Sequence, residues 1–413
     1  MKTNLKNLLL SWLLIGGVIA FSSCDNEDDE PQPLMLQSIT AGDSDLNQAT
    51  SPTDVAPNAV IEAVFNVDLD ETTVDETDVT LTRGYDDTEV PVDVSVSGNT
   101  VTITPQNDLG SGSEYTLVVS GDIESVDGES LDSFTRSFTT AGSFAPSGQI
   151  AFFSFEGSAE DMTGDYDPPA ENVTDITYVD SKNADLGQAA SFNGSTSLIE
   201  IPNADDFLAN DDFSISFWVN ADANEEGYFV MGLAGFFGFQ FEIPGDWSWV
   251  KMAMRYSTPD GSVAEDSWFN GSGETKDNTG WQGWTVHEGL QNSVGEAYFI
   301  DQWAHVVVTY NAETKVNSMY INGDLVKQHD FNLWPEGDSK QNVTGVTYDG
   351  NPANNTLALG FFQGTENPTV TDPWADPTNP DNKFFSGELD NIRIFEDALT
   401  ATEVDLIYQS ENE

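Results

Sequence analysis

Cysteine and positive charge are scarce in this sequence of 413 residues. It has one cysteine, Cys24, and 13 basic residues against 71 acidic ones, for a formal net charge of −58 at pH 7. A lone cysteine excludes a disulfide within the monomer, so the fold must be stabilised by its hydrophobic core or by a bound ion such as calcium. The negative charge excludes nucleic acid as a partner, because phosphate contacts require clustered Lys and Arg.

Long apolar runs are also missing, and the one apolar run near the start is short. Lys2 and Lys6 precede apolar residues 8–21, and Ser22 and Ser23 then lead to Cys24. This pattern is typical of a secretory signal and is too short to cross a bilayer with margin. We predict that residues 1–24 are a lipoprotein signal peptide with a lipidated Cys24. Ordinary cleavage after the small residues is the alternative.

The stretch after Cys24 is acidic and rich in proline. Residues 25–30 read Asp-Asn-Glu-Asp-Asp-Glu, and Pro31 and Pro33 follow. Such a run cannot pack, so residues 25–34 are predicted to be a flexible tether. The run resembles the surface-export signal of Bacteroidetes lipoproteins, which implies an outer membrane lipoprotein on the cell surface, held to the membrane by its lipid alone. In enterobacteria an Asp after the cysteine would instead imply retention at the inner membrane.

Helical periodicity is missing from the rest of the chain, where short runs of Val, Ile, Thr and Phe alternate with turn residues. This predicts an all-β protein. The small-residue stretch 142–148 is the clearest break and is predicted to be a linker between domains at 35–141 and 149–413.

The first domain has strand-like runs at 60–65, 101–105 and 115–119. Their spacing predicts a β-sandwich. The order of turn and core residues resembles that of bacterial Ig-like domains, through Pro105, Leu109, Gly112, Tyr115, Gly128 and the closing Phe138-Thr139-Thr140. The resemblance implies a structural spacer.

The second domain carries several motifs in a fixed order. Among them are the alternating strand at 213–219, the run at 303–310, Asn322-Gly323 between apolar strands, and the closing run at 387–395. Asn-Gly in that position is a strong hairpin signal. Together with residues 150–157 and 190–202, these motifs resemble the laminin-G-like, concanavalin A-like lectin and glucanase jelly roll. The fold class predicted is therefore an Ig-like β-sandwich followed by a concanavalin A-like/LamG jelly-roll sandwich.

That resemblance implies roles for a few residues. Trp218, Trp303 and His305 fall in the shared framework. Family members often hold calcium near their first and last strands, which here would draw on Glu156, the Gly157 backbone and Asp390. Oxygen ligands suit calcium. The alternative is that both carboxylates are ordinary polar strand positions.

A stretch from Glu242 to Trp284 interrupts the jelly-roll pattern and holds five of the ten tryptophans. Indole faces stack on apolar sugar faces, so this stretch predicts a glycan platform, with Lys251 and Arg255 beside it. A local core built from the same rings is the alternative. The predicted ligand-binding aromatics here are Trp247, Trp249, Tyr256, Trp268, Trp281 and Trp284.

A second irregular stretch, from Gln363 to Lys383, is too polar and proline-rich for a strand. Long loops in compact domains are often functional, so Trp374 is included among the predicted ligand-binding residues.

The sequence lacks the signatures of three classes of hydrolase. Glycosidases of this fold carry Glu-x-Asp-x-x-Glu on one strand, whereas Arg393 follows Glu388 and Asp390 here, and Tyr408 follows Glu403 and Asp405. Neither Gly-x-Ser-x-Gly nor the His-Glu-x-x-His of zinc proteases occurs. The sequence therefore favours a binding protein without catalysis.

Three hypotheses follow for function. The first is a surface protein that binds polysaccharide, with outer-membrane sugar-import proteins as partners. The strong negative charge favours a neutral glycan over an anionic one. The second is an adhesion protein whose laminin-G-like domain binds another protein. The third is a hydrolase with an unrecognised site.

Overall fold

The fold is all-β, in agreement with the sequence prediction. A computed structural model describes residues 31–182, 186–245, 250–261, 263–269, 283–285 and 299–412. Its strands form four sheets, joined by antiparallel ladders, that make two sandwiches. Cys24 and most of the predicted tether lie outside the described residues.

The first sandwich consists of two sheets, here called A and B. Sheet A has the order β2-β1-β3-β7-β6, and sheet B the order β5-β4-β8-β9. Apolar residues alternate along these strands, so Phe65, Ile103 and Leu117 are fully buried between the sheets. The strands are β1 Leu36–Ala41, β2 Ser44–Asp45, β3 Ile61–Phe65, β4 Val79–Arg83, β5 Glu89–Val90, β6 Val92–Ser97, β7 Thr100–Pro105, β8 Glu114–Val119 and β9 Phe134–Thr139.

The second sandwich consists of two larger sheets, here called C and D. Its strands are β10 Gln149–Phe153, β11 Val173–Thr174, β12 Thr177–Asp180, β13 Gln188–Asn193, β14 Leu198–Ile201, β15 Phe213–Ala221, β16 Gly227–Leu233, β17 Phe239–Pro244, β18 Lys251–Ser257, β19 Val263–Phe269, β20 Gly283–Thr285, β21 Ala304–Asn311, β22 Val316–Ile321, β23 Asp324–Asp330, β24 Gly345–Val346, β25 Leu357–Leu359 and β26 Ser386–Phe395.

The first and last strands of the second sandwich meet in sheet C. Its order is β12-β13-β26-β15-β21-β22-β23-β20, with β10 also paired to β26, and sheet D has the order β11-β14-β25-β16-β17-β18-β19, with β24 paired to β18. Phe217 of sheet C packs on Phe241 of sheet D, with ring centroids 5.0 Å apart. The core between these sheets is the largest apolar cluster among the described residues.

The hairpin predicted at Asn322-Gly323 is present. Both residues have positive φ angles, 53° and 82°, and Ile321 pairs with Asp324 across the turn. A two-residue turn with two positive φ angles matches the right-handed twist of its strands, which is why Asn-Gly predicts it.

One α-helix closes the described chain, α1 at Ala401–Asn412. Thr400 and Glu403 cap its start reciprocally: the Glu403 backbone N–H donates to Thr400 Oγ1, and the Thr400 N–H donates to Glu403 Oε2. Among the described residues, no helix has the length and apolar character that a membrane crossing requires.

Short 3-10 helices occur in the connections. They lie at Glu71–Thr73, Glu76–Asp78, Ala170–Asn172, Ala204–Leu208, Gly235–Phe237, Phe331–Leu333, Ser339–Asn342, Pro352–Asn354 and Pro373–Ala375. The last of these presents Trp374.

Candidate functional site

The outer face of sheet D carries a row of polar side chains. Along β17, Phe239, Phe241 and Ile243 enter the core. Because side chains alternate across a strand, Gln240 and Glu242 lie on the opposite face. Glu242 pairs in register with Lys251 of β18, and Lys251 Nζ lies 2.6 Å from Glu242 Oε1.

Gln240 is the most deeply buried polar residue of this row. Its side chain is fully buried, and its Nε2 donates to Glu242 Oε1. No described residue donates a hydrogen bond to its Oε1. A buried acceptor without a partner costs free energy.

A cleft of about 220 Å³ lies beside this row. Phe229, Glu242, Lys251 and Lys383 are among the residues that line it. Ten of the chain's basic residues are in the described part, and two of them line this cleft. The cleft therefore offers side chains of both charges beside the apolar residues Phe229 and Ile243.

An aromatic cluster adjoins the cleft through Phe229, which is one of the residues that line it. The Phe229 and Phe362 rings are 4.5 Å apart, and Phe362 stacks on Trp374 at 5.6 Å with an interplanar angle of 12°. Trp374 is nevertheless 46% exposed. It is a supported indole with accessible surface, as a platform for a flat apolar ligand face requires.

The loop that holds Trp374 crosses the outer face of sheet D. At Gly232 of β16 a Cβ atom would come within 2.4 Å of the Phe362 carbonyl oxygen, so the loop rests directly on the strand. Gln363, fully buried, donates to the carbonyls of Val370 and Ala375 at 2.8 and 2.7 Å. These contacts hold the two arms of the loop together.

Arg255 extends the polar row towards the other side of the face. Its Nε lies 3.4 Å from Asp349 Oδ1, and its guanidinium lies 5.2 Å from the centre of the Phe237 ring. Lys251 and Arg255, which the sequence placed beside the aromatic platform, therefore share one face of β18.

The predicted aromatic residues do not all fall at this face. Trp247, Trp249 and Trp281 lie outside the described residues. The backbone of Trp268 is in β19, opposite Met252 of sheet D, whereas that of Trp284 is in β20, opposite Gln328 of sheet C. Two members of the predicted cluster thus belong to different sheets.

Tyr256 lies in the core, which corrects the prediction that it contacts a ligand. Its side chain is fully buried and its hydroxyl accepts a 2.6 Å hydrogen bond from Asn317 Nδ2. The Phe331 ring packs at 4.7 Å. Tyr256 follows Met252 and Met254 in alternation on β18, so it shares their inward face.

The predicted calcium ligands have different surroundings. Asp390 is 1% exposed and its carboxylate pairs with Lys182 Nζ at 3.1 Å. An ammonium group at that distance opposes a divalent cation, so Asp390 does not fit the calcium role that the resemblance implied. Glu156 is exposed and accepts from the Gln188 backbone N–H at 3.1 Å. Calcium at Glu156 and Gly157 stays a prediction.

The carboxylates of β26 are not arranged as a glycosidase pair. Burial raises the pKa of Glu388, and Asp222 adds to that effect. Asp390 is engaged by Lys182, and Arg393 stands where a further carboxylate would be needed, donating to Glu411 at 2.7 Å.

Sequence reasoning missed four residues that matter at these sites: Lys182, Gln240, Gln363 and Lys383. Gln240 could have been found from its alternation with Phe239 and Phe241. Lys182 and Lys383 are placed by contacts between distant segments, which no local pattern reports. Gln363 is placed by hydrogen bonds within its own irregular loop.

Comparison with known proteins agrees with the two sandwiches. Residues 45–140 match the family model of the bacterial Ig-like domain, and residues 193–360 match that of the concanavalin A-like lectin/glucanases superfamily. The chain thus carries a bacterial Ig-like domain followed by a concanavalin A-like domain. A search of curated proteins gave no match.

Several solved structures resemble this chain at low identity. The binding domain of Paraclostridial Mosquitocidal Protein 1 is 16% identical, with 64% of this chain and 52% of that chain covered and a TM-score of 0.39. The receptor binding domain of botulinum neurotoxin type G is 17% identical, over 63% and 51%, with a TM-score of 0.37. The match spans about half the length of these two domains. Domain 4 of AbnA, a GH43 extracellular arabinanase from Geobacillus stearothermophilus, solved with arabinotriose, is 19% identical, over 63% and 98%, with a TM-score of 0.36.

Proposed function

We propose that this protein binds polysaccharide, without cutting it, at the outer face of sheet D. The observation that carries the proposal is the exposed Trp374 ring. It stacks on Phe362, and its centroid lies 6.0 Å from that of Phe229, which lines the cleft that contains the Glu242–Lys251 pair. The match to the concanavalin A-like lectin/glucanases superfamily supports a carbohydrate ligand.

The chemistry of a sugar ring suits this arrangement. One face of a pyranose presents C–H groups that pack on an indole, and its edge presents hydroxyls that donate and accept hydrogen bonds. Trp374 would take the apolar face. Glu242 and Lys251 would take hydroxyls as acceptor and donor, respectively.

A neutral glycan is the proposed class. Lys251 is already neutralised by Glu242 at 2.6 Å, and the chain's net charge of −58 repels an anionic polymer. An uncharged ligand is not repelled by this net charge and does not need Lys251 as a free cation.

We further propose that Cys24 carries a lipid that holds the protein on the outer surface of the outer membrane. Binding there would deliver glycan to sugar-import proteins. The predicted signal at residues 1–24 and the acidic residues 25–30 support this placement.

The test is affinity electrophoresis of the full chain through gels that contain neutral or anionic polysaccharides. We expect retardation by at least one neutral polymer. Trp374→Ala should weaken that binding about fivefold, because an aromatic contact contributes roughly 1 kcal/mol, while Trp374→Phe should retain part of it.

Met162→Ala is the control, since Met162 is 64% exposed and lies outside the cleft. Unchanged mobility in every gel would reject glycan binding and leave protein adhesion as the function to test. Retardation that Trp374→Ala leaves intact would place the glycan site elsewhere.

A further inference from the structure

Lys182 is a buried cation outside the proposed glycan site. It follows β12, and its side chain is 6% exposed. Its Nζ lies 3.1 Å from Asp390 Oδ2, and Asp390 is itself 1% exposed. Two opposite charges are thus removed from water together, which requires that each be well satisfied.

Both charges have further partners. The Ser181 hydroxyl donates to Asp390 Oδ2, and the Asn391 N–H donates to Oδ1 at 2.8 Å. The Lys182 ammonium lies 4.3 Å above the Trp218 ring and 5.6 Å from the Trp303 ring. Aromatic faces attract a cation through their quadrupole, most strongly when water is excluded.

The aromatic part of this site is held by the surrounding fold. Trp218 Nε1 donates to Glu411 Oε2 at 2.7 Å, and Arg393 Nε donates to Glu411 Oε1 at 2.7 Å. Glu411 belongs to α1, whereas Trp218 and Arg393 belong to β15 and β26. The site around Lys182, formed by Trp218, Trp303 and Asp390 and here called the cage, is therefore held by contacts among β15, β26 and α1.

We propose that Trp218, Trp303 and Asp390 form an alkylammonium site that the chain fills with its own Lys182. This internal cation stands at the carboxylate to which the family resemblance assigned calcium. Calcium takes six to eight oxygen ligands, whereas two walls of this site are indole faces. The chemistry of the walls selects an organic ammonium over a divalent ion.

The first experiment measures the thermal unfolding of the full chain with Lys182→Met and Lys182→Ala. Leaving Asp390 buried without its cation should lower the Tm by on the order of 10 °C. Lys340→Met is the matched control, because Lys340 also lies 4.3 Å from a tryptophan ring, that of Trp334, but is only part buried. Its Tm should change much less.

Added alkylammonium ions test the chemistry of the cage. Propylammonium should restore part of the Tm lost in Lys182→Ala, and it should leave the unaltered chain unchanged. If Lys182→Ala does not fold alone, the double variant Lys182→Met with Asp390→Asn should recover folding, because it removes both charges.

Two outcomes would contradict the proposal, and one of them is measured with calcium. A Tm equal to that of the unaltered chain in Lys182→Met would overturn the proposal. So would a rise in Tm of the unaltered chain with millimolar calcium that Asp390→Asn abolishes. None of these readouts depends on glycan binding.

Discussion

At the scale of single residues, the buried His305 is the clearest titration site. Its ring is fully buried, and its Nε2 lies 2.7 Å from Ser216 Oγ. Burial, assisted by Lys182 and Arg393, lowers the pKa of His305 from 6.5 to about 3. The folded protein therefore holds this imidazole neutral across a range in which the unfolded chain protonates it.

The sign of the pH effect follows from that difference. Below 6.5 the unfolded state binds a proton that the folded state rejects, so stability falls as pH falls towards 3. We expect His305 to remove about 2 kcal/mol of unfolding free energy between about pH 7 and pH 5. The measurement is denaturant unfolding at both pH values, for the unaltered chain and for His305→Gln.

The comparison with His305→Gln also controls for the pH dependence that the many carboxylates contribute, because both chains carry the same carboxylates. The unaltered chain should lose more stability than the variant over this interval. Parallel losses would show that His305 titrates equally in the folded and unfolded states.

At the scale of elements, the loop over sheet D matters most because it places Trp374. Gln363 bonds to both Val370 and Ala375, and the Val370 N–H donates back to Gln363 Oε1 at 2.9 Å. One amide thus satisfies three backbone groups. Gln363 acts on a ligand only through the position of Trp374.

Gln363→Ala should therefore weaken glycan binding about as much as Trp374→Ala does. The double variant should bind no more weakly than either single variant, because both changes remove the same contact. Affinity electrophoresis of the three variants gives this comparison. Leaving the three backbone groups unpaired should also lower stability, by roughly 1–3 kcal/mol for each group that water cannot reach.

Asn332→Ala is a suitable control, since Asn332 bonds to the Thr314 carbonyl in a connection of sheet C. It should leave binding unchanged. Additive losses in the double variant would instead mean that Gln363 contacts the glycan itself or supports another part of the site.

At the scale of the whole molecule, the two domains pack against each other through α1. The Tyr85 hydroxyl of the first domain donates to Glu403 of α1 at 2.8 Å, and the Tyr85 ring meets Phe144 edge to face at 5.3 Å. Phe144, in the linker, is 8% exposed, and Arg393 Nη2 donates to Ser143 at 2.8 Å. The segment 142–148 is thus packed between the domains.

This junction predicts coupled unfolding. Calorimetry of the full chain should give one thermal transition, because unfolding of either domain removes the contacts that stabilise the other at the junction. The double variant Tyr85→Ala with Phe144→Ala removes both rings and should separate that transition into two. Val126→Ala, at a 62% exposed position in the first domain, is the control.

Two transitions in the unaltered chain would show that the contacts at Tyr85 and Phe144 contribute little free energy. The first domain would then act as an independent spacer, as the sequence resemblance implied.

The sequence by itself determined the all-β class and the Asn322-Gly323 turn. Both follow from local chemistry: alternating apolar residues make a two-faced strand, and two positive φ angles require residues such as Asn and Gly. The spacing of the strands predicted the first sandwich, and the resemblance to the laminin-G-like jelly roll implied the second. The order of motifs along the chain then limits the sheets that the strands can form.

Only the tertiary structure decided which aromatic rings face solvent and which charges meet. Alternation predicts two faces for β18 but not which of them enters the core, and the fold placed Tyr256 inside. Trp374 stayed exposed because the loop that carries it lies on the outer face of sheet D. Lys182 and Asp390 are 208 residues apart in sequence. Lys182 follows β12 and Asp390 lies in β26, two strands that β13 separates in sheet C. Their pairing is set by the packing of the whole domain rather than by any local pattern.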